Sequence, residues 1–339
     1  MFYELNLIAL VASNNNKKLI LWDNERKLVI CSTQFKTAIV GLKALKKLIF
    51  LATKEEINIC NLNDNHNYIE IISKIPIHPL SNSAFDIWML NNSSYYLSYV
   101  NEKSLIKLII IYENYGKTQD IISFDAGFSD SPNIQNIIYN EKLNSLFIIN
   151  EIGTSIKCYN CEDYSLVCEF YRGKNFAYIS SISNIGDQYI AVASSNKTIH
   201  IFEINKKSKS SNNSYISKFY NFFKNPFNIN RSLIKIRLNE ISKDEEESGF
   251  FDLDFKTKGV LLLYEEELEE LACLGYNGTI YFIKLDLENF SYEIINKYTW
   301  CVHNDSKNYS VYISDDFSFD LVSMNNKEDI KEIEKWKIV

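Results

Sequence analysis

Short runs of β-branched and aromatic residues, each closed by a polar turn, recur along the chain and set the first constraint on its fold. They are KLILWDNERK, EINICNLND, KLIIIYENYGK, SIKCYNCEDY, TIHIFEINKK and TIYFIKLDLEN. An apolar residue near the end of each run, Trp22, Cys60, Tyr112, Tyr159, Phe202 and Ile283, returns at roughly 40 to 50 residues, with only the last interval about twice as long. A unit of that length holding several short strands is the signature of radially repeated four-stranded sheets. Helical periodicity is almost absent elsewhere, so the expected class is all-β, a WD40-like β-propeller. A pair of β-sandwiches would use similar strands but would not impose the repeat.

Six units are plain. The runs NKYTWCV, NYSVYIS and FSFDLVSM follow the last of them and would complete a seventh blade. The expectation is therefore a seven-bladed ring, with a six-bladed or shortened ring as the alternative, formed by residues 1–339 as a single β-propeller domain. With 46% hydrophobic residues the chain can bury a core of that size.

Other function classes are excluded by what is missing. No run approaches the roughly 18 to 20 uncharged apolar residues of a membrane span, and the first residues lack the basic and small-residue pattern of a secretory leader. A cytoplasmic protein is expected. Seven cysteines, an odd number, point to reduced thiols. Cys158-x-x-Cys161 has metal-like spacing, but zinc needs a second pair or nearby histidines, and the chain has only His66, His78, His200 and His303. The pair reads as the tip of a hairpin, and no metal or cofactor is expected. The phosphate-cradling, zinc-protease and nucleophile-elbow motifs are absent, so a binding protein is expected rather than an enzyme.

The net charge of −7 rules out a uniformly basic nucleic-acid binder. It conceals a local asymmetry: between Asn205 and Leu238 there are eight basic residues and no acidic one. Such a segment is a local device for attracting an anionic partner. Against that background Glu169–Phe176, EFYRGKNF, stands out, because Arg172 is one of only four arginines in the chain, with Arg26, Arg231 and Arg237.

The order NLIALVA…LILWD, NEIGTSIKCYN, CEFYRG, VASSNKTIHIFEI, a basic aromatic insertion and CLGYNGTIYFIKL resembles the PROPPINs, the phosphoinositide-binding propellers of autophagy that include the WIPI proteins. The resemblance runs from about Asn6 to Leu285. Its most specific part is the family's Phe-Arg-Arg-Gly motif, matched by Phe170-Tyr171-Arg172-Gly173 and followed by the Ser…Thr-x-His strand. In the family the two arginines serve neighbouring shallow pockets for 3-phosphorylated inositol headgroups. Successive strand residues point to opposite sides, and a guanidinium fork matches phosphate oxygens.

Carried over by position, the resemblance implies a main pocket of Arg172, Ser195, Thr198 and His200. The glycine that the family has before the threonine is absent, which places the turn geometry in question. The other pocket is degenerate: Gly153 and Thr154 remain, Lys157 stands for an arginine, Asn150 and Ile148 replace small hydroxyl residues, and Tyr171 replaces the first arginine. One working headgroup site and one weak or vacant one are expected. The competing reading of Arg172 is a surface arginine capping a turn.

The insertion at about 205–231 follows the candidate pocket strand. On a helix, Ile216, Phe219, Tyr220, Phe222 and Phe223 share one face and Lys218 and Lys224 the other, with Pro226 as a stop. Phe219, Tyr220, Phe222, Phe223 and Phe227 are thereby candidates for membrane insertion, in the manner of an interfacial helix. Packing of these aromatics on the propeller, or stacking on single-stranded nucleic acid, are the alternatives. The resemblance implies a monomer on membranes carrying 3-phosphorylated phosphoinositides, at autophagic, endosomal or vacuolar surfaces. It also implies a protein partner such as a lipid-transfer protein of the autophagy machinery. A protein-only WD40-like scaffold is the contrasting hypothesis.

Overall fold

A computed structural model describes residues 7–12, 15–62, 68–77, 84–102, 104–113, 116–128, 133–204, 229–238, 260–275, 279–305 and 308–313. Every regular element among them is a β-strand, as the all-β expectation requires. The chain divides into two compact units, one holding residues up to Tyr139 and the other beginning at Asn140.

The first unit contains three antiparallel sheets. One is β1 (Leu7–Ala12), β2 (Asn15–Asp23) and β3 (Leu28–Gln34); the next is β4 (Gly41–Leu45), β5 (Leu48–Ala52), β6 (Glu56–Leu62) and β7 (Ile69–Pro76). The third is β8 (Phe85–Asn91), β9 (Ser94–Glu102), β10 (Leu105–Tyr112) and β11 (Lys117–Asp125). β12 (Ile134–Asn140) follows and reaches the unit boundary. The inner strand β5, LIFLA, is apolar throughout and buried at every position. The outer strand β11 is mostly exposed and carries Lys117, Gln119 and Asp120, charged and polar residues that suit an unpaired edge. Two apolar cores join these sheets, one around Phe50, Ile59, Tyr95 and Leu97 and one around Leu19, Leu21, Ile49 and Leu51. Asp86 is a buried charge held by Lys43 Nζ at 2.5 Å and by the backbone N–H groups of Ile87 and Tyr139 at 2.8 and 2.6 Å.

The second unit contains β13 (Ser145–Asn150), β14 (Ser155–Asn160), β15 (Leu166–Tyr171), β16 (Ile179–Ile185), β17 (Tyr189–Ser194), β18 (Thr198–Glu203), β19 (Ile229–Arg231) and β20 (Ile234–Arg237). It ends with β21 (Val260–Glu265), β22 (Glu270–Gly275), β23 (Thr279–Asp286), β24 (Ser291–Asp305) and β25 (Asn308–Ile313). Strand orders are β12-β13-β14-β15-β19, β16-β17-β18-β20 and β21-β22-β23-β24-β25. All neighbours whose register is resolved are antiparallel except β15 and β19, which run parallel. Ile199, Ile201, Ile234 and Ile236 pack with Leu271, Cys273 and Ile283 in the unit's core.

The repeat read from the sequence has a structural meaning. Trp22, Cys60, Tyr112, Tyr159, Phe202 and Ile283 fall one to a sheet, on β2, β6, β10, β14, β18 and β23. The hairpin turns share a local device as well. Asp23 Oδ1 accepts the N–H groups of Glu25 and Arg26, and Asp286 Oδ1 those of Glu288 and Asn289. The last turn residue then takes a left-handed conformation, with φ of 56° at Lys27 and 52° at Phe290. A short acidic side chain that can bond its own backbone two residues on initiates such a turn. The runs read as the start of a seventh blade extend the sixth sheet: NKYTWCV lies within β24, and NYSVYI is β25, in register from Trp300↔Ile313 onward. Six sheets are formed by the described residues; FSFDLVSM lies outside them.

Candidate anion-binding groove between two sheets

The groove is built from the outer parts of β15 and β18. Alternation along β18 sends Ile199 and Ile201 to one face, into the core with β22 and β23, and Thr198, His200 and Phe202 to the other. Phe202 meets Phe170 of β15 with ring centroids 5.1 Å apart. This aromatic contact joins the two sheets. The His200 ring lies 6.1 Å from that of Phe202, at an interplanar angle of 18°.

His200 is 2% exposed, and its nitrogens are matched by hydroxyls. Nδ1 is 3.1 Å from Ser232 Oγ, and Nε2 is 3.4 Å from Thr198 Oγ1, which lies 2.8 Å from Ser194 Oγ. Burial first, and then the positive charges of Arg172 and Lys235, push the His200 pKa down to about 4. The imidazole is neutral at pH 7. Because one of its nitrogens carries a proton and the other a lone pair, the Ser194–Thr198–His200–Ser232 chain reorients without a change of net charge.

Arg172 follows β15 and is itself buried, at 9% exposure. Its Nε donates to Gly153 O at 2.6 Å and its Nη2 to Asn175 O, while its backbone N–H donates to Thr154 O at 2.9 Å. Half of the fork thus caps a turn. The Nη1 end has no hydrogen bond among the described residues. Burial lowers the arginine's pKa from its ordinary value, but a guanidinium starts so high that it stays charged.

The turn joining β17 and β18 carries the other main-pocket residues. Ser195 is half-buried; its Oγ accepts the Tyr178 N–H at 3.0 Å, and its own N–H donates to Tyr178 O at 2.8 Å. Lys197 occupies the place where the family has glycine and adopts φ 54°. The left-handed turn is therefore kept with a lysine, at a conformational cost. Ser195 shapes this turn, whereas Thr198 and His200 face the groove.

The degenerate pocket is occupied by its own hydrogen bonds. Asn150, fully buried, accepts the N–H groups of Thr154 and Ser155 at 2.9 and 3.1 Å and donates to Thr154 Oγ1 at 2.9 Å. Gly153 closes the turn at φ 69°. Ile148 and Lys157 are buried cross-strand partners, Lys157 opposes Glu169 on β15, and Ser155 Oγ donates to Glu169. Tyr171 is half-buried and lies beside Arg231 in the parallel register. A carboxylate and a saturated asparagine stand where an anion would need donors.

Several groove residues escaped the sequence reading. Ser194 precedes the motif serine and carries no local signal. Ser232, Lys235 and Arg237 were legible only as members of a basic segment; the pairing of β18 with β20 sets Lys235 opposite His200 and Arg237 opposite Thr198. Cys158 sits inside β14 opposite Cys168, and Cys161 opens the turn between β14 and β15. The membrane-insertion candidates Phe219, Tyr220, Phe222, Phe223 and Phe227 lie outside the described residues.

Comparisons with known proteins bear on the fold and the family. Autophagy-related protein 18 of Yarrowia lipolytica is 24% identical over 223 residues, 60% of this chain and 55% of that protein. The chain thus spans about half the length of that relative, and less of others that it matches over shorter stretches. Among solved structures, Hsv2 of Kluyveromyces marxianus covers 88% of this chain and 83% of its own, with a TM-score of 0.60 at 18% identity. Atg21, solved in complex with the coiled coil of Atg16, covers 87% of this chain and 82% of its own, with a TM-score of 0.59 at 17% identity. These likenesses establish the WD40-like β-propeller fold. The PROPPIN family model matches residues 1–258, and with three-quarters of its length so matched the chain belongs to the PROPPIN family.

Proposed function

We propose that the protein is a phosphoinositide-binding propeller that docks peripherally on membranes of the autophagic or endolysosomal system. It binds phosphatidylinositol 3-phosphate, and also the 3,5-bisphosphate, through Arg172, Thr198 and His200, with Ser195 holding the turn. The observation that carries this reading is the convergence of a buried, partly unsatisfied guanidinium, a hydroxyl and an imidazole at one groove, in a chain of this family. Charge-assisted, bidentate contacts to phosphate are what such donors make best. The Gly153, Thr154, Lys157 and Tyr171 pocket contributes little, because its donors are consumed internally. The aromatic residues from Phe219 to Phe227 enter the bilayer interface. One headgroup contact and one inserted segment hold the protein together where neither suffices alone.

Flotation with liposomes that contain or lack the 3-phosphoinositide tests this. Wild type floats only with the lipid; Arg172→Ala and the double variant Phe222→Asp with Phe223→Asp do not. Lipid-independent behaviour of all three refutes the membrane reading. A protein scaffold is the second reading, favoured by the two carbonyls that already engage Arg172 and by the coiled-coil complex solved for Atg21. On that reading the partner is a protein of the autophagy machinery, and Arg172→Ala lowers stability without touching flotation.

A further inference from the structure

In every sheet after the first, the marker residue of the repeat lies on the third strand in chain order: Cys60 on β6, Tyr112 on β10, Tyr159 on β14, Phe202 on β18 and Ile283 on β23. Each of these sheets has its leading strand, β4, β8, β12, β16 or β21, at one edge. The first sheet is out of step. Its marker, Trp22, lies on β2, the second of its strands. Among the described residues nothing takes the leading place before β1, and no strand pairs with the edge of β1 that faces away from β2.

β1 lacks the devices of a protected edge. Its sequence, LIALVA, holds no charge and no proline, whereas the outer strand β11 carries Lys117, Gln119 and Asp120. Leu7 and Val11 are buried, at 2% and 3% exposure, in the core with Leu19, Leu21 and Ile49. Successive residues of a strand direct their N–H and C=O groups to opposite edges, so alternate residues of β1 present theirs away from β2. Such a row is a template for one more strand.

Residues 314–339 follow β25 and lie outside the described residues. Within them Phe319–Asn325 reads FDLVSMN, and β8, Phe85–Asn91, reads FDIWMLN. The phenylalanine, aspartate and final asparagine recur in place, and Leu321 stands for Ile87. β8 is itself a leading strand. Its Asp86 accepts from Lys43 Nζ of β4 and from the Tyr139 N–H of β12, the leading strands of the sheets before and after it. Phe85 and Ile87 pack with the core on one face of β8, and the spacing of Phe317, Phe319 and Leu321 repeats that alternation. We infer that the open edge of β1 is a strand-acceptor site, and that residues 317–325 of this chain fill it, antiparallel to β1, as the leading strand of the first sheet. Asp320 then takes the place that Asp86 has in the third. This is independent of the lipid reading.

The test uses the full chain, as an equal mixture of unlabelled and nitrogen-15-labelled protein, with an amine cross-linker and peptide mass spectrometry. An antiparallel strand brings Met324 to the Leu7 end of β1, which pairs with Asp23 beside the turn that holds Lys27. The expected product joins Lys327 to Lys27 within one isotopic species. Products that mix the two isotopes assign the edge to a second copy and overturn the inference, as does absence of the Lys327–Lys27 product. Residue-resolved hydrogen exchange is the second readout. In wild type the amides of β1 are protected at consecutive positions; protection at alternate positions only means an open edge and overturns the site. Leu321→Pro and Val322→Pro remove adjacent N–H groups, of which only one points at β1. One variant therefore speeds exchange of the outward β1 amides by about tenfold, the worth of one backbone hydrogen bond, and the other spares them; β11 is unchanged in both. If neither variant alters β1, the occupant is not this segment. The cross-link is read on wild type, so it decides even where a proline variant loses its fold.

Discussion

His200 makes the folded protein acid-sensitive by an amount that can be worked out. Its pKa lies at about 4 in the fold against an ordinary value of 6.5, because burial and the charges of Arg172 and Lys235 oppose a third positive charge. A group whose folded pKa is depressed contributes its full stability above pH 6.5 and loses it as the pH falls toward 4. At pH 7 the contribution is nearly intact. At pH 5 the unfolded chain is almost fully protonated at this position while the folded one is not, so the fold loses about 2 kcal/mol. His200→Gln removes the titration and keeps an amide for the hydroxyls of Ser232 and Thr198. Urea unfolding of both proteins at pH 7 and pH 5 isolates the effect, because the carboxylates titrate alike in each. Wild type should lose about 2 kcal/mol more than the variant over this interval. Equal losses would refute the buried, neutral imidazole between two cations. A bound phosphate reverses the sign locally, so saturating headgroup should shrink the difference.

Other perturbations report on the parts that hold the groove in place. Asp86→Ala leaves the Lys43 ammonium and two backbone N–H groups without their buried acceptor, and thermal or urea denaturation should show a loss of about 3 to 5 kcal/mol. Asn150→Ala frees two N–H groups and the Thr154 hydroxyl; a loss of about 2 kcal/mol is expected in urea, with Arg172-dependent flotation weakened through the displaced Gly153 carbonyl. Lys197→Gly relieves a left-handed residue at φ 54° and should raise stability by about 0.5 to 1 kcal/mol, leaving lipid binding unchanged.

The repeat was legible because it is a periodic property of side-chain chemistry. Inner strands are rich in apolar residues and the turns between them in polar ones, so Cys60, Tyr159, Phe202 and their equivalents mark one sheet each without reference to any partner. The same logic is silent past β23, where nothing local distinguishes a strand that starts a new sheet from one that extends the last. NKYTWCV and NYSVYI are strands either way; only pairing decides which sheet they join.

Arg172, Thr198 and His200 were legible as candidate site residues through resemblance, and the Phe170–Phe202 contact joins the two sheets that carry them. What those groups meet there was hidden. Gly153 and Asn175 supply backbone carbonyls, which every residue possesses, so no sequence marks the two that engage Arg172. Ser232 and Lys235 are more than thirty residues from His200 in the chain, and only the parallel addition of β19 and the antiparallel addition of β20 bring them to it. The amino-acid sequence by itself determined the strand repeat, the turn residues, the scarcity of arginine and the placement of a basic segment after β18. The tertiary structure decided which cations share a face, because strand pairing and register, not separation along the chain, set the direction of each side chain.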